Sequence, residues 1–92
     1  MKHELKIWPE HFDAIWEGRK TFEFRDNDRG FNVGDELVLR SWDPEMKEYT
    51  GDWLIRRITY VLEGPAFGLP PGKAILALGT PGAVVEGNKR VA

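Results

Sequence analysis

Residues 18–25, Gly-Arg-Lys-Thr-Phe-Glu-Phe-Arg, force the chain from one kind of secondary structure into another within a few residues. Glycine populates positive φ without steric cost and so suits the residue just past a helix. From Lys20 onward, apolar Phe22 and Phe24 alternate with Thr21, Glu23 and Arg25, the period-2 pattern of a strand. Successive side chains of a strand point to opposite faces. The pattern therefore predicts that both Phe enter a core while Thr21, Glu23 and Arg25 form a polar row on the other side. That row is either a solvated outer face or the floor of a polar cleft.

The flanking segments supply the rest of a small fold. His3 to Ile7 alternates and reads as a first strand. Pro9 fits the first turn of a helix, where its missing N–H costs nothing, and Glu10 lies at the positive end of the helix dipole. Phe12, Ile15 and Trp16 recur at helical spacing, predicting a helix over roughly 9–17 with Trp8 stapling its start. After the strand at 20–26, Asn27-Asp28-Arg29-Gly30 and Val33-Gly34-Asp35 are turn formers. Glu36 to Trp42 and Tyr49 to Leu62 read as strands joined by a polar hairpin loop. The alternation of the second slips near Arg56-Arg57, which predicts a bulge or burial on both faces. A Pro/Gly-rich loop at 64–72 precedes a last apolar strand at Ala74–Leu78. The fold class is α+β: a small mixed β-barrel of about five strands with one main helix packed near one end. Residues 1–79 form the domain and 80–92 a flexible C-terminal tail.

Composition removes several classes of function. The 92 residues contain no cysteine, which rules out disulfides, thiolate metal sites and thiol nucleophiles and favours a reducing, cytoplasmic setting. Two histidines without cysteine leave no expectation of a metal. No apolar run approaches the roughly 18 residues of a membrane span. The net charge of −2 argues against coating nucleic acid by bulk attraction, while a local cluster such as Arg19, Lys20, Arg25 and Arg29 remains compatible with selective binding. No dinucleotide or phosphate-loop pattern is present, and no cofactor is expected. Nothing in the pattern demands more than a monomer.

The run Gly-x-Lys-Thr-x-Glu-x-Arg after a short helix, followed by a Val-Gly-Asp turn into an apolar strand, resembles the ASCH domains of the PUA-like superfamily, over about residues 3–79. It looks closest to an uncharacterised bacterial and phage branch of that group. ASCH domains are β-barrels with a helix beside a cleft proposed to bind RNA. The resemblance therefore implies that Lys20, Glu23 and Arg25 line a cleft for RNA or a nucleotide-like ligand, with Thr21 beside them and Arg29 and the 64–72 loop at the rim. Some small ASCH proteins are amidohydrolases that deacylate N4-acylated cytidine with a Lys, a Thr nucleophile and a Glu. Lys20 matches the Lys, and Glu63 is the candidate for the distant acid. Glu23 occupies the Thr position, which removes the usual acyl acceptor. A nucleic-acid-binding module is the leading expectation, with the amidohydrolase and a protein-interaction domain as alternatives.

Overall fold

A computed structural model describes residues 1–79 and 87–89. The strands are β1 (Lys2–Ile7), β2 (Phe22–Asp26), β3 (Glu36–Asp43), β4 (Glu48–Glu63), β5 (Lys73–Gly79) and β6 (Gly87–Asn88), and α1 spans Pro9–Trp16 between β1 and β2. The first five strands form one curled mixed sheet in the order β1-β3-β4-β5-β2, a half-barrel with β1 and β2 at its two edges. β1 runs parallel to β3, and the other pairings on this path are antiparallel. The helix is thus the connection that carries the chain from one edge of the sheet to the other.

Strand parity sorts the side chains. Leu5 and Ile7 of β1, Leu37 and Leu39 of β3, Leu54 and Ile58 of β4, and Ala74 and Leu76 of β5 all turn inward and are buried. Phe12 and Ile15 of α1 and Phe31 of the β2–β3 loop complete the core. Burying side chains of this size contributes about 1.5–3 kcal/mol each. The helix ends as its sequence implies. Gly18 has φ +80°, and the N–H groups of Arg19 and Lys20 both reach the carbonyl of Ala14, at 2.9 and 3.0 Å. The expected irregularity in β4 falls between Ile58 and Tyr60, where its register with β5 shifts, and Leu54, Ile55 and Arg56 are buried in succession. Both faces of the strand are therefore covered there, as a bulge and its neighbours allow.

Two expectations differ from the structure. Phe22 and Phe24 do not enter the core: they are 46% and 47% exposed, and Glu23 between them is 5% exposed. The pairing of Glu23 with Leu76 and of Arg25 with Ala74 puts both polar residues on the inward face. The period-2 pattern gave the strand correctly, but which parity faces inward depends on how α1 covers the sheet, and at this edge the interior is polar. The second difference lies at the C-terminus. Gly87–Asn88, within the expected tail, pairs with Trp53 and Leu54, and Lys89 forms a 3.1 Å ion pair with Asp13 of α1. Gly87 is required there, since an added Cβ would fall 2.8 Å from both the Trp16 ring and the Trp53 carbonyl oxygen. The remainder of 80–92 lies outside the described residues.

Candidate functional site

The edges β1 and β2 are not joined by a backbone ladder. Arginines span the gap instead. Arg25 Nη2 donates to the Lys6 carbonyl, and Arg29 Nη1 donates to the Glu4 carbonyl at 2.9 Å. Those two carbonyls lie two residues apart on β1 and face away from β3, the only side on which a strand edge is unpaired.

Beneath this bridge sits Glu23. Its Oε2 accepts from Arg25 Nε at 2.8 Å and its Oε1 from Lys20 Nζ at 3.3 Å. The local sequence dictates the arrangement. Glu23 and Arg25 share a strand face because they are two apart. Lys20 is swung back toward them by the turn that follows Gly18, and Thr21 holds that turn to β5 by accepting from the Leu78 N–H at 2.9 Å. A buried carboxylate needs such partners, because removing a charge from water without them costs several kcal/mol.

Glu23 and Arg25 form part of the wall of a cleft of about 400 Å³, also lined by Lys6, Ile7, Trp8, His11, Phe24, Asp26 and Lys73. Trp8 and His11 stack with ring centroids 6.4 Å apart and planes 24° from parallel. Lys6 lies 4.6 Å from the Trp42 ring centroid on the outer side, and Lys73 pairs with Asp26. The cleft thus combines flat aromatic surfaces, two lysines and a deep acceptor. The sequence pattern marks Trp8 only as a staple at the helix start and gives no reason to place His11 in a site. Their place in the cleft depends on β2 arriving beside the helix, which no local pattern encodes.

The other residues singled out by the sequence fall elsewhere. Thr21 is exposed and, with Lys20, borders a second hollow at the C-terminal end of α1. Glu63 accepts from Asn27 Nδ2 at 2.8 Å and lines a third, with Phe31, Asn32, Val33, Tyr60 and Val61. Arg29 is committed to the Glu4 carbonyl, and residues 64–72 do not contribute to the cleft wall. Phe67 of that loop is almost wholly exposed. Among the described residues no three metal-ligating side chains converge, and no helix is long and apolar enough to cross a membrane.

A polar cluster outside the cleft fixes the turn before β3. Buried Asp35 binds His3 Nε2 at 2.9 Å and accepts from the Asn32 N–H at 3.1 Å. The His3 hydrogen bond, helped by that of Asn32, holds the Asp35 carboxyl below its ordinary value even though burial opposes the shift. His3 also packs edge-on against Phe31, 4.8 Å away. The partner of His3 on β1 thus lies on the turn leading into the neighbouring strand, β3.

Residues 2–78 match the family described as Domain of unknown function (DUF3850), and the chain belongs to that family. It is similar to the "Uncharacterized 12.9 kDa protein in GpA 3'region" of Escherichia phage P2, with 39% identity over 61 residues. That match covers 66% of this chain and 54% of the phage protein, so the chain spans about half the length of the curated relative it matches.

Proposed function

We propose that this DUF3850 chain is an ASCH-like module that binds RNA or a nucleotide-like ligand in the cleft between α1 and β2. The observation that carries the reading is the Glu23 carboxylate, 5% exposed and clamped between two cations on the wall of an aromatic-lined cleft. Its volume lies within the range of small-ligand sites, about 300–1,000 Å³. Each carboxylate oxygen has two acceptor positions, so Glu23 keeps capacity for the N–H donors of a base such as cytosine or guanine. Trp8, His11 and Phe24 offer surfaces on which a base stacks, and stacking is worth about 1–3 kcal/mol per base. Lys6 and Lys73, which also line the cleft, would supply the positive charge that a phosphate needs. The cytoplasm, where RNA is available, is the setting that fits this reading.

Chemical-shift perturbation with nucleosides and short RNAs tests it. The expected result is saturable movement of the Trp8 indole N–H and the Phe24 amide, with affinity at least tenfold weaker for Glu23→Gln, as about 1.5–3 kcal/mol for a hydrogen bond to a charged group implies. Absence of shifts at these positions with every ligand would overturn the assignment. The same titration carried out with N4-acetylcytidine reports on the hydrolytic alternative. That reading has less support, because Thr21 and Glu63 border other hollows. Release of acetate would nevertheless replace binding by catalysis as the conclusion.

A further inference from the structure

The inward face of β4 carries one charged residue between two apolar ones: Arg56, flanked at two-residue spacing by Leu54 and Ile58 and paired with Leu37 of β3. It is 9% exposed. Among the described residues its hydrogen bonds go only to backbone carbonyls, from Nη1 to Ile55 at 3.0 Å and from Nη2 to Ile15 at 3.5 Å. No carboxylate among the described residues forms an ion pair with it. A guanidinium has five N–H donors and stays charged at any ordinary pH. A buried one normally has a carboxylate partner, because desolvation otherwise goes uncompensated. That desolvation pulls the Arg56 guanidinium below its ordinary value.

Arg56 lies against the hollow at the C-terminal end of α1, about 290 Å³ in volume and bordered by Gly18, Lys20, Thr21, Leu78 and Gly79 among others. Two residues with cationic side chains and one with a hydroxyl therefore border it. Among the described residues the only carboxylate touching either cation is Glu23, which binds Lys20 and is already shared with Arg25. Capping the helix would not by itself require an arginine. The bond to Ile15 is at the outer limit of hydrogen-bond length, and the glycine turn already supplies two N–H donors to Ala14.

We propose that this hollow is a phosphate-binding site, with Arg56 providing a forked donor, Lys20 a point charge and Thr21 a hydroxyl donor. Guanidinium groups match phosphate oxygens two at a time, and lysine binds them as a single charge. The hollow is distinct from the aromatic cleft, to which Lys20 is linked through Glu23, and the proposal stands whether or not that cleft binds a base. The phosphate belongs either to a free phosphomonoester or to a polynucleotide backbone.

The test uses the full chain, with inorganic phosphate titrated against chloride at constant ionic strength. The Arg56 Nε–H resonance is expected to shift saturably and the melting temperature to rise with phosphate. Arg56→Met is expected to fold, to melt in chloride at or above the wild-type temperature, and to lose the phosphate-dependent rise. Arg56→Lys should keep a reduced rise. An equal rise in wild type and Arg56→Met, or a wild-type Nε–H that does not saturate, overturns the site. Should Arg56→Met not fold, the wild-type Nε–H titration together with Thr21→Val, which should weaken phosphate binding severalfold, decides the question. A nucleoside 5′-monophosphate and an RNA lacking terminal phosphate distinguish the sources: a response to the first alone assigns a free monoester, and a response to both assigns the backbone. The Trp8 indole, silent in the phosphate arm, reports separately on the cleft.

Discussion

Glu23 and Arg56 are both charged, both turned inward and both nearly buried, yet their surroundings are opposite. Glu23 has a cation on each oxygen. Arg56 has only carbonyl dipoles. The carboxylate is therefore neutralised within the fold and keeps only its remaining lone pairs for the cleft, while the guanidinium has no counter-charge and holds unspent donor capacity. A buried charge with all its partners supplied by the protein specifies geometry. One without a counter-charge destabilises the fold until something from outside completes it.

Removing the carboxylate is the strongest way to break this contrast. Glu23→Ala leaves Lys20 and Arg25 facing each other without an anion and is expected to cost about 3–5 kcal/mol, measured by urea unfolding. Glu23→Gln should cost less, because the amide still accepts one hydrogen bond. Arg25→Ala comes next, at about 1.5–3 kcal/mol, since it removes a charged hydrogen bond to Glu23 and opens the bridge to Lys6. Arg29→Ala touches only the outer end of that bridge with an exposed side chain and should cost under about 1 kcal/mol. A similar loss from both would mean that the two arginines do not differ in burial as described. Arg56 lies at the far end of the scale, where loss of the charge is neutral or favourable in the absence of phosphate.

Asp35 provides a pH-dependent counterpart. Its folded-state value lies below the unfolded one, near 3.8, so its contribution to stability is fully present above that value and is lost as pH falls through the lowered folded value. Melting temperature should therefore drop as the solution is acidified below about pH 4. Asp35→Asn should be less stable at neutral pH and show a flatter acid limb. An unchanged limb would show that the Asp35 carboxylate contributes nothing to folding.

How much of this was legible in the sequence depends on the range over which each feature is encoded. The helix expected over roughly 9–17 and found at Pro9–Trp16, the glycine stop at 18 and the turn before β3 are written in neighbouring residues. The pairing of Glu23 with Arg25 was also visible, being a two-residue spacing on one strand. The inward parity of β2 was not, because Phe22 and Phe24 carry the local apolar signal and only the tertiary arrangement exposes them. Arg56 was noticed as a break in alternation, but its isolation from carboxylates is a property of three strands and a helix end together. The contribution of Trp8 and His11 to the cleft has the same origin: residues more than ten positions apart meet because the helix returns the chain to the opposite edge of the sheet.

The arginine bridge between β1 and β2 has a consequence for how the molecule breathes. A barrel closed by a continuous ladder opens only by breaking many cooperative bonds, whereas this one has a seam fastened by side-chain clasps. Deuterium should enter the amides along that seam well before those of β3 and β4. Because the clasps occupy β1 carbonyls, they also deny a foreign strand its docking rail, so loosening them should raise self-association along with flexibility.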